Sequence, residues 1–315
     1  MKTILKILAA AVIIAGIAVA GFAVDAQIRI AAEETYAADA GAPGRFVTID
    51  GHRLHIATIG DIAADPTGAP LLLIHGYAAQ GHVTWLPWAS KLAASRALIM
   101  PDLLGFGHSA RVTAPEAALT LKGRAATMAA VLDSMGVTQV DIVGESYGGA
   151  VAAQFALDYP ARVRRIIFMD AIIDPRADMN GQGDLPLGIG RALTWHVHGG
   201  GPFGYAKSAC NGQPDCRWLR LARVKGTTDA HRTMSIVHRT SAEDATLLNE
   251  IARIKVPSLV IWGSEDRVVP VAEGDRLAQS LKTRLAVVAN AGHAPYVAQP
   301  EKVAERVLEF LAATP

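Results

Sequence analysis

The sequence predicts an α/β fold on a mostly parallel sheet. Two observations carry that prediction. Short runs such as Leu71–Ile74, Ala97–Met100, Val140–Val143, Ile166–Met169 and Pro257–Trp262 are apolar without alternation. Strands of this kind belong to parallel sheets covered on both faces. Between several of them lie segments with apolar residues at helical spacing, and this βαβα order favours parallel pairing. The chain has 315 residues, enough for one large α/β domain plus an insertion. Its 30 basic and 29 acidic side chains nearly balance, so nothing favours a nucleic-acid partner. No internal repeat or coiled-coil heptad is evident.

Lys2 and Lys6 precede an uncharged 18-residue run from Ile7 to Val24. That length is the lower limit for a membrane-spanning helix, and the pattern also describes a secretory signal. Ala18-Val19-Ala20 fits a small-x-small cleavage site, and Val24-Asp25-Ala26 is a poorer one. Residues 1–26 are therefore read as a signal peptide or an N-terminal membrane anchor. Lysines that stay cytoplasmic place the rest of the chain outside, anchored or released. Residues 27–44 read as a linker. Phe46–Ile49, Asp50-Gly51 and Leu54–Ile59 then form a β-hairpin with an Asp-Gly turn. His55 alternates with apolar neighbours and is read as sitting on one sheet face.

The strand Leu71–Ile74 runs into His75-Gly76-Tyr77, where a glycine lets backbone N–H groups face an open site. The next strand runs into Pro101-Asp102-Leu103-Leu104-Gly105-Phe106-Gly107-His108-Ser109. A helix with Leu121, Ala125, Met128, Leu132 and Met135 follows, and Gly136 ends it. After it, Val140–Val143 leads into Gly144-Glu145-Ser146-Tyr147-Gly148 and a small-residue run from Ala150. This is strand, sharp turn and helix with a serine at the apex. Composition alone places a G-x-S-x-G somewhere in such a chain with probability on the order of 0.1, so the strand–helix context carries the signal.

Residues 175–250 break the rhythm. Pro175, Pro186, Pro202, Pro214 and Gly199-Gly200-Gly201 exclude regular sheet, while Trp195, Phe203, Tyr205, Trp218 and Leu221 supply apolar surface. They read as a helical cap over the site. His196 and His198 are two apart, a poor spacing for a metal pair on a helix, and no metal or cofactor is expected. Cys210 and Cys216 are the only cysteines. Their turn-rich spacer permits a disulfide, which export favours; two buried thiols or a redox pair are the alternatives. Residues 45–174 and 251–315 form the two parts of the core.

Near the C-terminus, Asp266 follows the strand ending Ile261-Trp262-Gly263, and His293 follows the strand Leu285–Val288. The last helix carries Val303, Val307, Phe310 and Leu311 on one face. Ser146, Asp266 and His293 all lie beyond carboxyl ends of strands, where open parallel sheets form their sites. Asp170 lies at such an end too and is the alternative acid, and Glu265 adjoins Asp266.

His75-Gly76, the Asp102–Ser109 run, Gly144–Gly148, Trp262–Asp266 and Gly292-His293 occur in an order that resembles the α/β-hydrolase superfamily. The resemblance spans residues 45–315. It implies a mainly parallel eight-stranded sheet flanked by helices, with the cap inserted after the sixth strand. It also implies Ser146 as nucleophile, Asp266 as acid and His293 as base. A serine hydroxyl needs such a base, and the acid holds the base's tautomer. The backbone N–H of Tyr147, the residue after the nucleophile, is one expected oxyanion donor. The family pattern makes the backbone N–H of Tyr77 the other. His75 would brace that loop, and Asp102 and His108 the loop after the fourth strand. Dehalogenases and epoxide hydrolases of this fold attack with an aspartate, which Ser146 argues against. The reading is thus a serine hydrolase acting on small carboxylic esters or other acyl substrates. The alternatives are a C–C bond (diketone) hydrolase and, distantly, a non-catalytic binding protein.

Overall fold

The structure, a computed structural model, describes residues 2–38, 44–65, 69–77, 81–110, 117–173, 233 and 247–313. Nearly all of the expected cap, with His196, His198, Cys210 and Cys216, lies outside them.

The chain opens with helix α1 (Lys2–Ala38), 37 residues long. Its Leu8–Ile28 stretch is long and apolar enough to cross a membrane, a property that signal peptides and anchors share. Leu8, Val12, Ile13, Ile14 and Ile17 are exposed on several faces, whereas Ala26 is buried. The helix runs through residues 27–38, which the sequence suggested as linker. The physical reason is composition: Gln27–Ala38 is rich in Ala and Glu and lacks Gly and Pro, so nothing breaks the helix.

Strands β1 (Arg45–Ile49) and β2 (His52–Ile59) pair antiparallel, with Ile49 opposite His52. Asp50 and Gly51 both have positive φ, 50° and 79°, as a two-residue type I′ turn requires. Then follow β3 (Leu71–Ile74), α2 (Leu86–Leu92), β4 (Leu98–Pro101), α3 (Leu121–Ser134), β5 (Val140–Glu145), α4 (Tyr147–Asp158) and β6 (Val163–Met169). After the insertion come α5 (Leu247–Glu250), β7 (Ser258–Gly263), α6 (Val271–Leu281), β8 (Leu285–Val288), α7 (Pro295–Ala298) and α8 (Pro300–Ala312). All eight strands form one sheet in the order β1-β2-β4-β3-β5-β6-β7-β8. Only β1–β2 and β2–β4 are antiparallel pairs.

Both sheet faces are covered, which explains the unalternated apolar strands. Leu72, Ile74, Ile142, Ile166 and Phe168 pack with residues of α3, α4 and α6. Their chain neighbours Leu71, Leu73, Val143, Ile167 and Met169 pack on the other side with α2 and α8. Successive side chains point to opposite faces, so a sheet buried twice needs apolar residues at every position. The serine, the aspartates and the histidine that follow the strands are thereby gathered along one edge of a rigid slab.

At the opposite end, Asp141 is fully buried at the start of β5. It pairs with Arg96, and accepts hydrogen bonds from Arg164 Nε (3.0 Å) and Arg164 Nη2 (2.5 Å). Arg96 also donates to the Ala69 carbonyl, 2.8 Å away. Removing the carboxylate leaves a buried guanidinium without its counter-charge. Asp141→Ala is expected to cost about 3–5 kcal/mol. The check is a lower urea-unfolding midpoint at an unchanged m-value; an unmoved midpoint would contradict it.

Candidate active site

The strand β5 ends at Glu145 and α4 begins at Tyr147, leaving Ser146 alone between them. Its backbone has φ 52° and ψ −126°, a conformation that costs a non-glycine residue about 1–3 kcal/mol. Neighbouring hydrogen bonds hold it there. Ser146 N–H donates to the Met169 carbonyl (3.0 Å), and the Ser146 carbonyl accepts from Gly149 (2.9 Å) and Ile172 (2.9 Å). Close packing does the rest: a Cβ on Gly148 would collide with the carbonyl oxygens of Ile74 and His75. The glycine of the motif thus lets α4 start against β3.

His293 Nε2 lies 3.0 Å from Ser146 Oγ, and His293 Nδ1 lies 2.8 Å from Asp266 Oδ2. Asp266 Oδ1 is taken by the backbone N–H groups of Val268 (2.8 Å) and Val269 (2.9 Å). The loop after β7 therefore fixes the carboxylate, and the carboxylate fixes the ring. Burial works to raise the Asp266 pKa, but the His293 hydrogen bond and the two backbone donors outweigh it and hold it below the usual value. Burial likewise works to lower His293. The Asp266 hydrogen bond and the Glu145, Asp266 and Asp170 carboxylates prevail, and its pKa is raised. Glu265, beside Asp266, is exposed.

Asp170 is also brought here, buried at the end of β6 with φ 43°. Its Oδ1 accepts from Gly263 N–H at 2.9 Å. Burial, with the Asp266 charge added, pushes its pKa up to about 8. The carboxylate hydrogen-bonded to His293 Nδ1 is that of Asp266, at 2.8 Å, and Asp170 faces the Gly263 N–H instead.

The two tyrosines expected to supply oxyanion donors lie face to face. The Tyr77 and Tyr147 rings stack with centroids 4.0 Å apart and planes at 13°. Tyr147 is the first residue of α4, so its N–H belongs to the helix's positive N-terminal end. His75 donates from Nδ1 to the Gly76 carbonyl (2.8 Å) and accepts at Nε2 from Leu103 N–H (3.0 Å). That pair fixes one neutral tautomer and ties the loop after β3 to the loop after β4. Full burial pulls the His75 pKa down to about 4.

Asp102 is the hub of those loops, and most of its partners were not legible. His55 Nδ1 (3.0 Å), His82 Nδ1 (2.9 Å), His82 N–H (2.5 Å) and His108 N–H (2.8 Å) all converge on its carboxylate. The histidine read as merely occupying a sheet face is thus a buried partner of Asp102. These donors outweigh the burial penalty and hold the Asp102 pKa well below the usual range. His55, His82 and Asp102 form one group with metal-ligand side chains close together, and Asp170, Asp266 and His293 form another. In the first, both imidazole Nδ1 atoms are hydrogen-bonded to Asp102; in the second, His293 Nδ1 is hydrogen-bonded to Asp266, and Asp170 accepts from Gly263 N–H.

A cavity of about 340 Å³ is lined by apolar Ile172, Ile173, Val269 and Leu277 and by polar Glu273, Arg276 and Ser280. Ile172 and Val269 link it to Ser146 and Asp266 through the backbone bonds given above.

A sequence profile described as the Alpha/beta hydrolase family matches residues 71–306. A 2-hydroxy-6-oxo-2,4-heptadienoate hydrolase of Pseudomonas putida is 28% identical over 284 residues, covering 86% of this chain and 96% of that protein. The structure of a thermophilic esterase from Thermogutta terrifontis aligns with a TM-score of 0.62 at 24% identity, covering 85% of this chain and 98% of that one. The crystal structure of a membrane phospholipase A aligns with a TM-score of 0.65 at 22% identity, covering 99% of this chain and 98% of that one. At these identities the two superpositions speak to the fold.

The buried neutral His75 makes a prediction about acid stability. The unfolded side chain binds a proton below its ordinary value of 6.5, whereas the folded one does so only near 4. Between those values the unfolded state holds more protons, so stability falls as pH falls, by about 3 kcal/mol from this group. The unfolding free energy of wild type should drop that much more than that of His75→Asn over the same range. Parallel pH dependences would contradict it.

Proposed function

The chain belongs to the α/β-hydrolase family, and we propose that it is a serine hydrolase that cleaves carboxylic esters through an acyl-enzyme intermediate. The observation that carries this reading is the unbroken line of hydrogen bonds from Asp266 through His293 to Ser146. In it Ser146 is the nucleophile, His293 the general base and Asp266 the group that orients the ring. His293 Nε2 takes the Ser146 proton as Oγ attacks the ester carbonyl carbon. The same nitrogen then returns the proton to the departing alkoxide. Asp266 holds the other ring nitrogen protonated throughout and favours the transient imidazolium. The developing oxyanion is assigned to the N–H groups of Tyr147 and Tyr77. Water, activated by His293, releases the acid in the second half-reaction.

Residues 175–250 are taken as the cap that shapes the acyl pocket, set between core segments 45–174 and 251–315. Cys210 and Cys216 are taken as a disulfide within it. Helix α1 is taken as an anchor or export signal that places the hydrolase outside the cytoplasmic membrane. Support for that placement is its apolar length and the two lysines before it.

A second reading has comparable support. The Pseudomonas putida relative is named for hydrolysis of a 2-hydroxy-6-oxo-dienoate, a reaction that breaks a C–C bond beside a carbonyl. The same nucleophile and base serve either chemistry, and the pocket chooses between them.

Fluorophosphonate labelling tests the nucleophile: wild type should label and Ser146→Ala should not. Labelling of both would move the nucleophile elsewhere. Asp266→Asn should lower ester kcat by about 10⁴-fold, because the ring loses its correct tautomer. Asp170→Asn, which keeps an acceptor for Gly263, should retain most activity. The reverse ranking would make Asp170 the acid. Turnover of p-nitrophenyl esters but not of 2-hydroxy-6-oxohepta-2,4-dienoate selects the ester reading, and the opposite outcome selects the C–C reading.

A further inference from the structure

Glu145 occupies the first variable position of the serine motif, where sequence alone offers no role beyond filling space. The fold buries it: 6% of the residue is exposed. Its two carboxylate oxygens face different parts of the site. Oε2 accepts the Gly76 N–H at 3.0 Å, and Oε1 lies 3.9 Å from His293 Nε2. Gly76 is wedged between Glu145 and the serine. A Cβ there would lie 2.7 Å from Ser146 Cβ and 2.8 Å from Glu145 Oε2. The His75–Gly76 peptide, one residue before Tyr77, is therefore held by a side chain adjacent in sequence to the nucleophile.

We infer that Glu145 is a positioning residue that couples the oxyanion loop to the imidazole, holding Gly76 by one oxygen and favouring the His293 imidazolium with the other. This rests on the reading of Ser146 and His293 as nucleophile and base. The hydrogen bond alone does not call for a charge, since a neutral amide oxygen accepts an N–H equally well. A buried carboxylate costs desolvation, and what it adds is a negative charge on the side of the ring opposite Asp266. The titratable groups around it are His293, Asp266, Asp170 and Tyr296. Among these only His293 gains a positive charge during the proposed reaction. Burial pushes the Glu145 pKa up to about 7, against the pull of His293 and the Gly76 N–H. Its charge therefore changes within the range in which His293 works.

The experiment follows the rate of Ser146 labelling by a fluorophosphonate, and kcat and KM for p-nitrophenyl acetate, across pH in wild type, Glu145→Gln and Glu145→Ala. Gln keeps an acceptor for Gly76 but removes the charge. The Glu145 carboxylate raises the His293 pKa, so its loss should move the acid limb of both profiles to lower pH, by about half to one unit. KM should change little. Ala removes the acceptor as well, and should lower kcat about tenfold or more below the Gln variant, as expected for a loosened oxyanion donor. Superimposable profiles for wild type and Glu145→Gln would overturn the electrostatic half. Equal kcat values for the Gln and Ala variants would overturn the positioning half. If Ala fails to fold, the Gln profile still decides the charge. Unlabelled wild type would sink the nucleophile assignment itself, and this inference with it, which separates the two failures.

Discussion

The site depends on one strained residue. Ser146 is held at positive φ between a strand and a helix that nearly touch. Strand β5 is central in the sheet, so its end cannot drift, and α4 starts against the carbonyls of β3 because Gly148 has no side chain. Relaxing the serine would require separating these elements, and with them the core beneath. The backbone strain of about 1–3 kcal/mol is thus offset by packing spread over many residues. The same close approach brings Gly76 and Tyr77, at the end of β3, beside the serine. One backbone constraint thereby places the hydroxyl, the helix N-terminus and the neighbouring loop together.

Four of the buried carboxylates, Asp102, Asp266, Glu145 and Asp170, fall into two classes, separated by their donors. Asp102 and Asp266 each receive hydrogen bonds from imidazole and from two backbone N–H groups, and their pKa values are depressed. Glu145 and Asp170 are also buried but have one backbone donor each, and their pKa values rise to about 7 and about 8. Desolvation acts on all four, and the donors and charges that face each carboxylate set the direction of its shift. Of the carboxylates around His293, Asp266 is the one whose imidazole and backbone donors favour its ionised form most.

The loops that carry these groups are stiffened from beneath by Asp102. Its partners come from β2, from the turn before α2 and from the loop after β4. His75 adds a bridge between the β3 and β4 loops. The antiparallel edge of the sheet is thus wired into the loop that follows the central β3 strand. The helix α1 differs in character: most of its apolar residues are exposed on several faces, and Ala26 is buried.

Much of this was legible in the chain because it is written locally. Unalternated strands declare a sheet covered on both sides, Asp50-Gly51 declares a hairpin, and a serine between close glycines declares a strained turn. The places of Asp266 and His293 just beyond strands were legible in the same way. That α1 runs on through 27–38 was not legible, since a run of Ala and Glu after an apolar stretch suits an extended tether as readily as a helical one. The remaining gaps concern residues distant in sequence. Nothing near His55 announces Asp102, 47 residues away, and nothing near Glu145 announces Gly76, 69 residues away. Residue type and local pattern decided which groups stand at the carboxyl ends of the strands. Only the tertiary structure decided which of the buried carboxylates keep their charge, because that depends on N–H groups delivered by other parts of the chain.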